Sequence, residues 1–403
     1  MAGEKRAVGA DSVRMVELGH PWIIADEHTK KWPVSRSGDL LELTDPGGRY
    51  LATALSDPDE RIVARIISRR KMQLDLSWLK ARIRKAISLR QSCINQEETT
   101  AYRLVNAEGD GLPGLTIDRY ADHLMVQLYG SAWRPHLKLL VQALEELLAP
   151  AGIYEKTRPQ KTRELEATAE SKNYGRLLAG MPVPAKFPVQ ENGLNFLVNL
   201  EKGLDSGLFM DQRKNRCSLM GISPGKRVLN LFAYTGAFSV AAAAAGAAKV
   251  TSVDVSATYV DWAKENFGAN RLNHKRHEFI VGDCFDLLAS YLKESRRFDI
   301  ILMDPPSFST TTKSRFTTRG GTSGLVAAAL PLLDDGGILI CSSNHQKVDS
   351  ADYLKELRRG ALQADCGLQV ISLAGQSEDF PYTVTFPEGR YLKYATCVKR
   401  TED

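Results

Sequence analysis

Six cysteines in 403 residues (Cys93, Cys217, Cys284, Cys341, Cys366 and Cys397), with no C-x-x-C pair among them, leave neither a zinc ligand set nor a disulfide framework to expect. No apolar run reaches 18 residues, and the Ala-rich stretch near residue 240 is short and broken by Gly246, so no membrane span and no membrane partner are expected. The opening MAGEKRAVGADSVR lacks an apolar core of the kind a secretory leader needs, which makes the cytoplasm the expected location. Internal repeats and low-complexity linkers are also missing. A net charge of +5 is too small to identify a partner by itself.

What is present is an ordinary globular composition at a length that suits two or three domains. The charge is unevenly spread. Residues 61–90 hold ten Lys or Arg against one acid, Asp75, and such a block is either a phosphate-contacting surface or a solvated amphipathic helix. Residues 1–75 read as a small β-rich domain. Within it, Gly38 to Leu55 carries two alternating runs joined by Asp45-Pro46-Gly47-Gly48, followed by a strand over Arg61 to Ile67. From Leu76 the apolar period becomes helical, with Leu76, Leu79, Ile83 and Ile87 at spacings of three and four. Residues 76–185 form a small α+β block with no catalytic constellation of acids, histidines or cysteines. Residues 186–403 open on a hairpin-like pair and then alternate strands with helices, as a parallel α/β sheet requires.

The chemistry concentrates in that third block. Val228 to Phe232 is a short bounded apolar run, Thr235-Gly236 turns the chain into an Ala-rich helix, and Asp254 ends the next apolar run 18 residues after Gly236. Ligands of parallel sheets bind beyond the carboxyl ends of the strands, so this turn and this acid can face one adenosine, with the acid accepting from ribose hydroxyls. Phe232 and Tyr234 stand where a G-x-G-x-x-G fingerprint has its earlier glycines, and no G-x-x-x-x-G-K-[ST] occurs. A pyrophosphate cradle is thereby disfavoured. An adenosine cofactor without phosphate, S-adenosyl-L-methionine, fits better.

Two further strand ends carry acids. Gly282-Asp283 follows HEFIV, where Asp283 can meet an adenine edge or serve as a plain surface acid. Asp304-Pro305-Pro306-Ser307-Phe308 follows the buried run IILM. Two prolines cannot donate to a ladder, so the strand stops there and leaves Asp304 and the Pro305 carbonyl at the sheet edge. Phe308 can stack on a base taken out of its helix, or can simply be a core residue.

Nearly the whole chain resembles the RlmI family of large-subunit ribosomal RNA methyltransferases. The resemblance rests on GHPWI at Gly19, GDLLELTDPGG at Gly38, YRLVNAEGDGLPGLTIDRY at Tyr102, GLFMDQRKNR at Gly207, VLNLFAYTGAFSV at Val228, SVDVS at Ser252, DPPSF at Asp304 and FPEGRYLK at Phe386. It implies an α/β protein: a PUA-like RNA-binding domain, a small α+β domain, and a Rossmann-like class I methyltransferase domain. It also implies ribosomal RNA as partner and a cofactor lying against Phe232, Tyr234, Gly236, Asp254, Asp283 and Asp304. Gln212 and Arg213 are implied next to that site, positioning cofactor or RNA. A homodimer stays open.

The chain departs from that family at one strand end. RlmI-type enzymes methylate cytosine C5 with a cysteine in an S-C-S motif, because C5 is not nucleophilic until a thiolate adds to C6. Aligning Gly336-Gly337 here places Asn344 at the position of that cysteine. Cys341 is three residues earlier, about 10 Å along a strand and on its opposite face. The third block also resembles the guanine-N7 half of the fused RlmKL protein, which has similar NLFSYTG, TYLEW and DPPTFS segments and a cysteine-free S-N-N strand end. Guanine N7 carries its own lone pair and needs only in-line positioning, with Asn344 and His345 holding the base edge. Cytosine C5, guanine N7 and an exocyclic amine therefore stay open as acceptors. A non-catalytic RNA-binding relative that kept the fold is the alternative class.

Overall fold

The computed structural model describes residues 3–58, 61–157, 172–306, 308–310, 315–317 and 321–400. The chain divides into two compact units, one made of Met1–Val189, Asn199–Ser206 and Glu378–Gly389, the other of Gln190–Val198, Gly207–Ser377 and Arg390–Asp403. Among the described residues no helix is long and apolar enough to cross a membrane.

Unit 1 holds two five-stranded sheets. The first comprises β1 (Glu4–Ala7), β2 (Trp22–Ile24), β3 (Leu40–Thr44), β4 (Tyr50–Ser56) and β5 (Ile62–Ser68) in the order β1-β3-β4-β5-β2, with α1 (Ala10–Leu18) between β1 and β2. Asp45 makes the β3–β4 turn: its carbonyl accepts from Gly48 N–H at 3.0 Å and its carboxylate from Arg49 N–H at 2.9 Å. After α2 (Leu76–Cys93), the second sheet comprises β6 (Ala101–Asn106), β7 (Leu115–Tyr120), β8 (His123–Leu128), β9 (Gly152–Lys156) and β10 (Gly175–Gly180) in the order β10-β9-β8-β7-β6. The parallel step from β8 to β9 runs through α3 (Leu137–Leu148), the crossover that parallel pairing requires.

The two sheets share one core. Leu55 of β4 and Ile67 of β5 pack in the same cluster as Leu79 and Ile83 of α2 and Leu104, Ile117 and Val126 of the second sheet. Arg65 of β5 donates to Asp57 at 2.7 Å and to the Tyr129 carbonyl at 2.5 Å, while Ser131 donates to Asp57 through its N–H and hydroxyl. On α2 the buried stripe is Leu79, Ile83, Ala86 and Arg90, and Arg90 completes a helical period with a charge. Its guanidinium meets Asp110 at 2.6 and 2.8 Å, and also bonds the carbonyls of Arg103 and Asp379.

The basic block is therefore a poorer phosphate surface than its composition suggests. Arg65 and Arg90 are buried in ion pairs, Lys71 pairs with Glu42, Lys80 pairs with Glu146, and Arg82 lies over the Trp78 ring at 5.2 Å. Arg61, Arg69, Arg70, Arg84 and Lys85 stay exposed.

The chain leaves unit 1 through the hairpin of β11 (Phe187–Glu191) and β12 (Leu194–Val198). Unit 2 is built on β13 (Arg227–Leu231), β14 (Lys249–Asp254), β15 (Glu278–Val281), β16 (Phe298–Met303), β19 (Leu333–Ser343), β20 (Gly367–Ala374) and β21 (Lys393–Arg400). Their order is β15-β14-β13-β16-β19-β21-β20, with β21 antiparallel to both neighbours and the first five strands parallel. The helices are α4 (Arg213–Ile222), α5 (Ala237–Ala244), α6 (Ala257–Ala269), α7 (Cys284–Lys293), α8 (Gly321–Ala329) and α9 (Ser350–Gln363). A small hairpin, β17 (Phe308–Thr310) with β18 (Arg315–Thr317), follows β16. Strand order reverses between β13 and β16, and ligands of such sheets bind beyond the carboxyl ends at that switch point. The fold is the doubly wound α/β architecture expected for the third block, behind a β-rich first sheet.

Candidate functional site

The turn after β13 follows the backbone path of a glycine-rich loop with only one glycine in it. Phe232, Tyr234 and Gly236 all have positive φ, at 59°, 51° and 76°. Such conformations cost bulky residues of order 1 kcal/mol or more, and persist only where neighbours over-determine them. Here the neighbours are explicit. Ala233 N–H bonds the Val253 carbonyl at 2.8 Å, Tyr234 N–H bonds Asp254 Oδ2 at 2.8 Å, and Thr235 Oγ1 bonds the Gly207 carbonyl at 2.6 Å. Asn266 of α6 closes the set by donating to the Thr235 carbonyl at 2.8 Å. Gly236 is obligatory on two grounds, its left-handed φ and the 2.7 Å that would separate an added Cβ from Ala263 Cβ.

Asp254 thus holds the turn before it can hold any ligand. Its second oxygen accepts from Ser256 N–H at 3.0 Å. The Tyr234 ring lies 5.2 Å from Phe209 and 4.5 Å from Tyr259, forming an aromatic wall beside the turn. At the end of β15, Asp283 is the N-cap of α7: one oxygen accepts from Phe285 N–H at 2.8 Å and Asp286 N–H at 3.4 Å. Its assigned neighbour in the structure is a helix end.

Asp304 follows β16 directly. The β16–β19 register pairs Met303 with Cys341, which brings Asp304 beside Ser342. Gln212, in the short helical turn before α4, donates through Nε2 to Asp304 Oδ2 at 3.1 Å and to Ser342 Oγ at 2.9 Å. Burial pushes the Asp304 carboxyl up to about 6; the charge of Asp211 adds to that, while bonds from Ser342 and Gln212 work against it. Asp211 itself accepts from the Tyr391 hydroxyl at 2.6 Å, and its carbonyl takes Ser377 N–H at 2.9 Å. Arg216 makes a buried two-point pair with Glu191, both bonds at 2.6 Å, and donates to the Phe209 carbonyl, fixing the segment that carries the aromatic wall.

Of the residues singled out in the sequence, Gln212 and Asp304 touch, and Asp254 touches the turn of Phe232, Tyr234 and Gly236. β14, β13 and β16 are hydrogen-bonded neighbours, so the two groups stand at strand ends about 10 Å apart, with the turn between them. Arg213 is buried at the first residue of α4, Pro305 is buried and Pro306 exposed. Asn344 is exposed one residue beyond β19. Phe308 begins β17, and its side chain lies outside the described residues. Cys341 is buried in the core with Met303, Tyr353 and Cys397, on the face of β19 opposite Ser342, and burial pushes its thiol well above the ordinary range.

Sequence reasoning missed Ser342 and Asn215. Asn215 lies three residues after Gln212, the spacing that puts two side chains on one helical face, and bonds its Oε1 at 2.6 Å. Ser342 alternates with Cys341, so a core-facing cysteine implies a site-facing serine. Both signals were available in the pattern.

Residues 103–381 match a family model described as S-adenosylmethionine-dependent methyltransferase, and residues 8–69 match one described as a PUA-like domain. A curated protein of Yersinia pseudotuberculosis, ribosomal RNA large subunit methyltransferase I, is 33% identical over 379 residues, covering 94% of this chain and 95% of its own. The protein of that name from Yersinia pestis matches over the same shares. Among solved structures, a chain described as a methyltransferase complexed with S-adenosylhomocysteine superposes with a TM-score of 0.88 at 29% identity, covering 98% of this chain and all of its own. A chain from Streptococcus mutans described as S-adenosylmethionine-dependent superposes at 0.85, also at 29% identity, over the same shares.

Proposed function

Because this chain belongs to the S-adenosylmethionine-dependent methyltransferases that carry a PUA-like domain, we propose that it methylates a base of large-subunit ribosomal RNA, in the cytoplasm, at an atom that already carries a lone pair. Guanine N7 is the acceptor that fits first.

The donor set at the strand ends suits the cofactor. Asp254, Asp283 and Asp304 are acids, which accept from ribose hydroxyls or an adenine amine and attract a cation, and which repel phosphate. Phe232 and Tyr234 bring bulky side chains where a pyrophosphate needs bare backbone. Under this reading Phe232, Tyr234, Gly236, Asp254 and Asp283 hold the nucleoside end, while Asp304, Gln212 and Arg213 hold the other. When bound, S-adenosyl-L-methionine supplies a methyl group on a sulfonium. The chain supplies orientation: Asn344 and His345, past the end of β19, hold the guanine edge, Phe308 stacks on the base, and Asp304 and the Pro305 carbonyl stand at the sulfonium end; the same two acceptors would take amine hydrogens if the target were an exocyclic amine.

The choice of acceptor rests on Cys341. Methylation at cytosine C5 requires a thiolate that can reach C6, and the thiol on β19 is buried in the core and held protonated. Guanine N7 asks only for alignment. Within the basic block, the exposed Arg61, Arg69, Arg70, Arg84 and Lys85 are available to meet RNA phosphates.

Nucleoside mass spectrometry of ribosomal RNA from a strain lacking this gene, against its parent, tests the proposal. The expected outcome is loss of one 7-methylguanosine. Loss of 5-methylcytidine instead would overturn the acceptor assignment and make Cys341 the residue to mutate next.

A further inference from the structure

The polar contacts behind Asp304 form a chain whose direction is set at its far end. Asn215 Nδ2 lies 3.2 Å from the Gly375 carbonyl and 2.6 Å from Gln212 Oε1. A carbonyl only accepts, so the Asn215 atom facing it must be the amide nitrogen. The Gln212 atom facing that nitrogen must then be its oxygen, and its NH2 group turns to Asp304 and Ser342. All four amide hydrogens of the two side chains are used. Ser342 Oγ, having accepted from Gln212, has its own proton left for the Asp304 carboxyl that it bonds. Gln212, Asn215 and Ser342 are each at most 3% exposed, so water does not scramble the order.

We propose that Asn215 is a positioning residue for Asp304: through Gln212 it fixes the donor sense of the amide beneath the carboxylate, and so keeps Asp304 an acceptor toward the site. With Asn215 gone, the Gln212 amide can turn over and set its oxygen against the carboxylate, which then takes up a proton more readily. The other ionisable groups facing Asp304 are Asp211 before α4, Arg216 of α4, Tyr353 of α9 and Tyr394 of β21. Arg216 is committed to Glu191.

The inference rests on the cofactor reading above. Its test is calorimetric titration of S-adenosylmethionine into the full chain between pH 5 and 8, for the wild type, Gln212→Ala, Asn215→Ala and the double variant. A cationic sulfonium should bind less tightly once Asp304 is protonated, giving a midpoint near pH 6 in the wild type. Each single variant should raise that midpoint by about one pH unit, the tenfold change in proton affinity that loss of one donor to a carboxylate produces. The double variant should shift no further than Gln212→Ala alone, because Asn215 acts through Gln212. Additive shifts, or an unmoved midpoint in Asn215→Ala with normal affinity at pH 8, would overturn the proposal. If Asn215→Ala does not fold, Asn215→Ser, too short to span both acceptors, makes the same comparison. Absence of binding by the wild type at every pH would instead sink the cofactor reading itself.

Discussion

Asp57 and Asp110 in unit 1 and Asp304 in unit 2 all bond buried side chains, yet their surroundings are of opposite kinds. Asp57 lies 2.7 Å from Arg65 Nε and takes two bonds from Ser131; Asp110 faces both terminal nitrogens of Arg90. Asp304 is held by an amide and a hydroxyl, and among the described residues no cation bonds it. An acid paired with its own buried arginine belongs to the fixed framework of the fold, because losing either partner strands the charge of the other. An acid held by neutral donors has no such partner, and acids of this kind gather at working sites. Unit 1 spends its buried charge on joining two sheets, and unit 2 keeps its charge available at a strand end.

The sharpest way to break this comparison is Asp304→Ala. Turnover on ribosomal RNA from a strain lacking the gene should fall a hundredfold or more, on the order seen when a preorganised polar group is removed from a transition state, with cofactor binding still measurable. Full activity in a radiolabelled methyl-transfer assay would place Asp304 with the structural acids. Next in size, Arg90→Met should cost roughly 3–5 kcal/mol in urea unfolding, because Asp110 loses its buried partner. A loss below about 1 kcal/mol would mean that this ion pair matters no more than an exposed one.

The third prediction concerns pH. The folded carboxyl of Asp304, near 6, lies above its unfolded value of about 3.9, so the folded state binds the extra proton between those values. Its contribution to stability is therefore present at low pH and lost as pH rises through 4 to 6, a loss of about 3 kcal/mol by neutral pH. Asp304→Asn removes that loss. The variant should gain on the wild type in urea unfolding at pH 7.5 and gain little at pH 4.5; equal gains at both would show that the carboxyl does not titrate in the fold.

Much of the site was legible because backbone constraints leave local marks. A buried parallel strand reads as an apolar run, a proline pair ends one, and an acid at such an end has few places to be; hence Asp254 and Asp304 were found from their neighbours in sequence. Their meeting with distant partners was not. Gln212, which the family resemblance had brought forward, reaches Ser342 across 130 positions, and Asn215 reaches the Gly375 carbonyl across 160, and no local pattern joins residues that far apart. Arg90 misled for the same reason, since a basic residue on a basic helix reads as solvated until Asp110 and the Asp379 carbonyl are seen around it.

The sequence by itself determined the order of elements and the residue types at each strand end, with bulky Phe232 and Tyr234 where a phosphate cradle has glycines and Asn344 where the family's cysteine stands, because each is a matter of which residue types a short stretch contains. Tertiary structure alone decided that Phe232 and Tyr234 adopt glycine-like backbone, that Asp283 caps a helix, that residues 378–389 pack into the first unit, and that the amide beneath Asp304 points its hydrogens toward it. Those outcomes depend on which donor meets which acceptor across long loops, and burial makes such pairings energetically decisive while leaving no periodic trace along the chain.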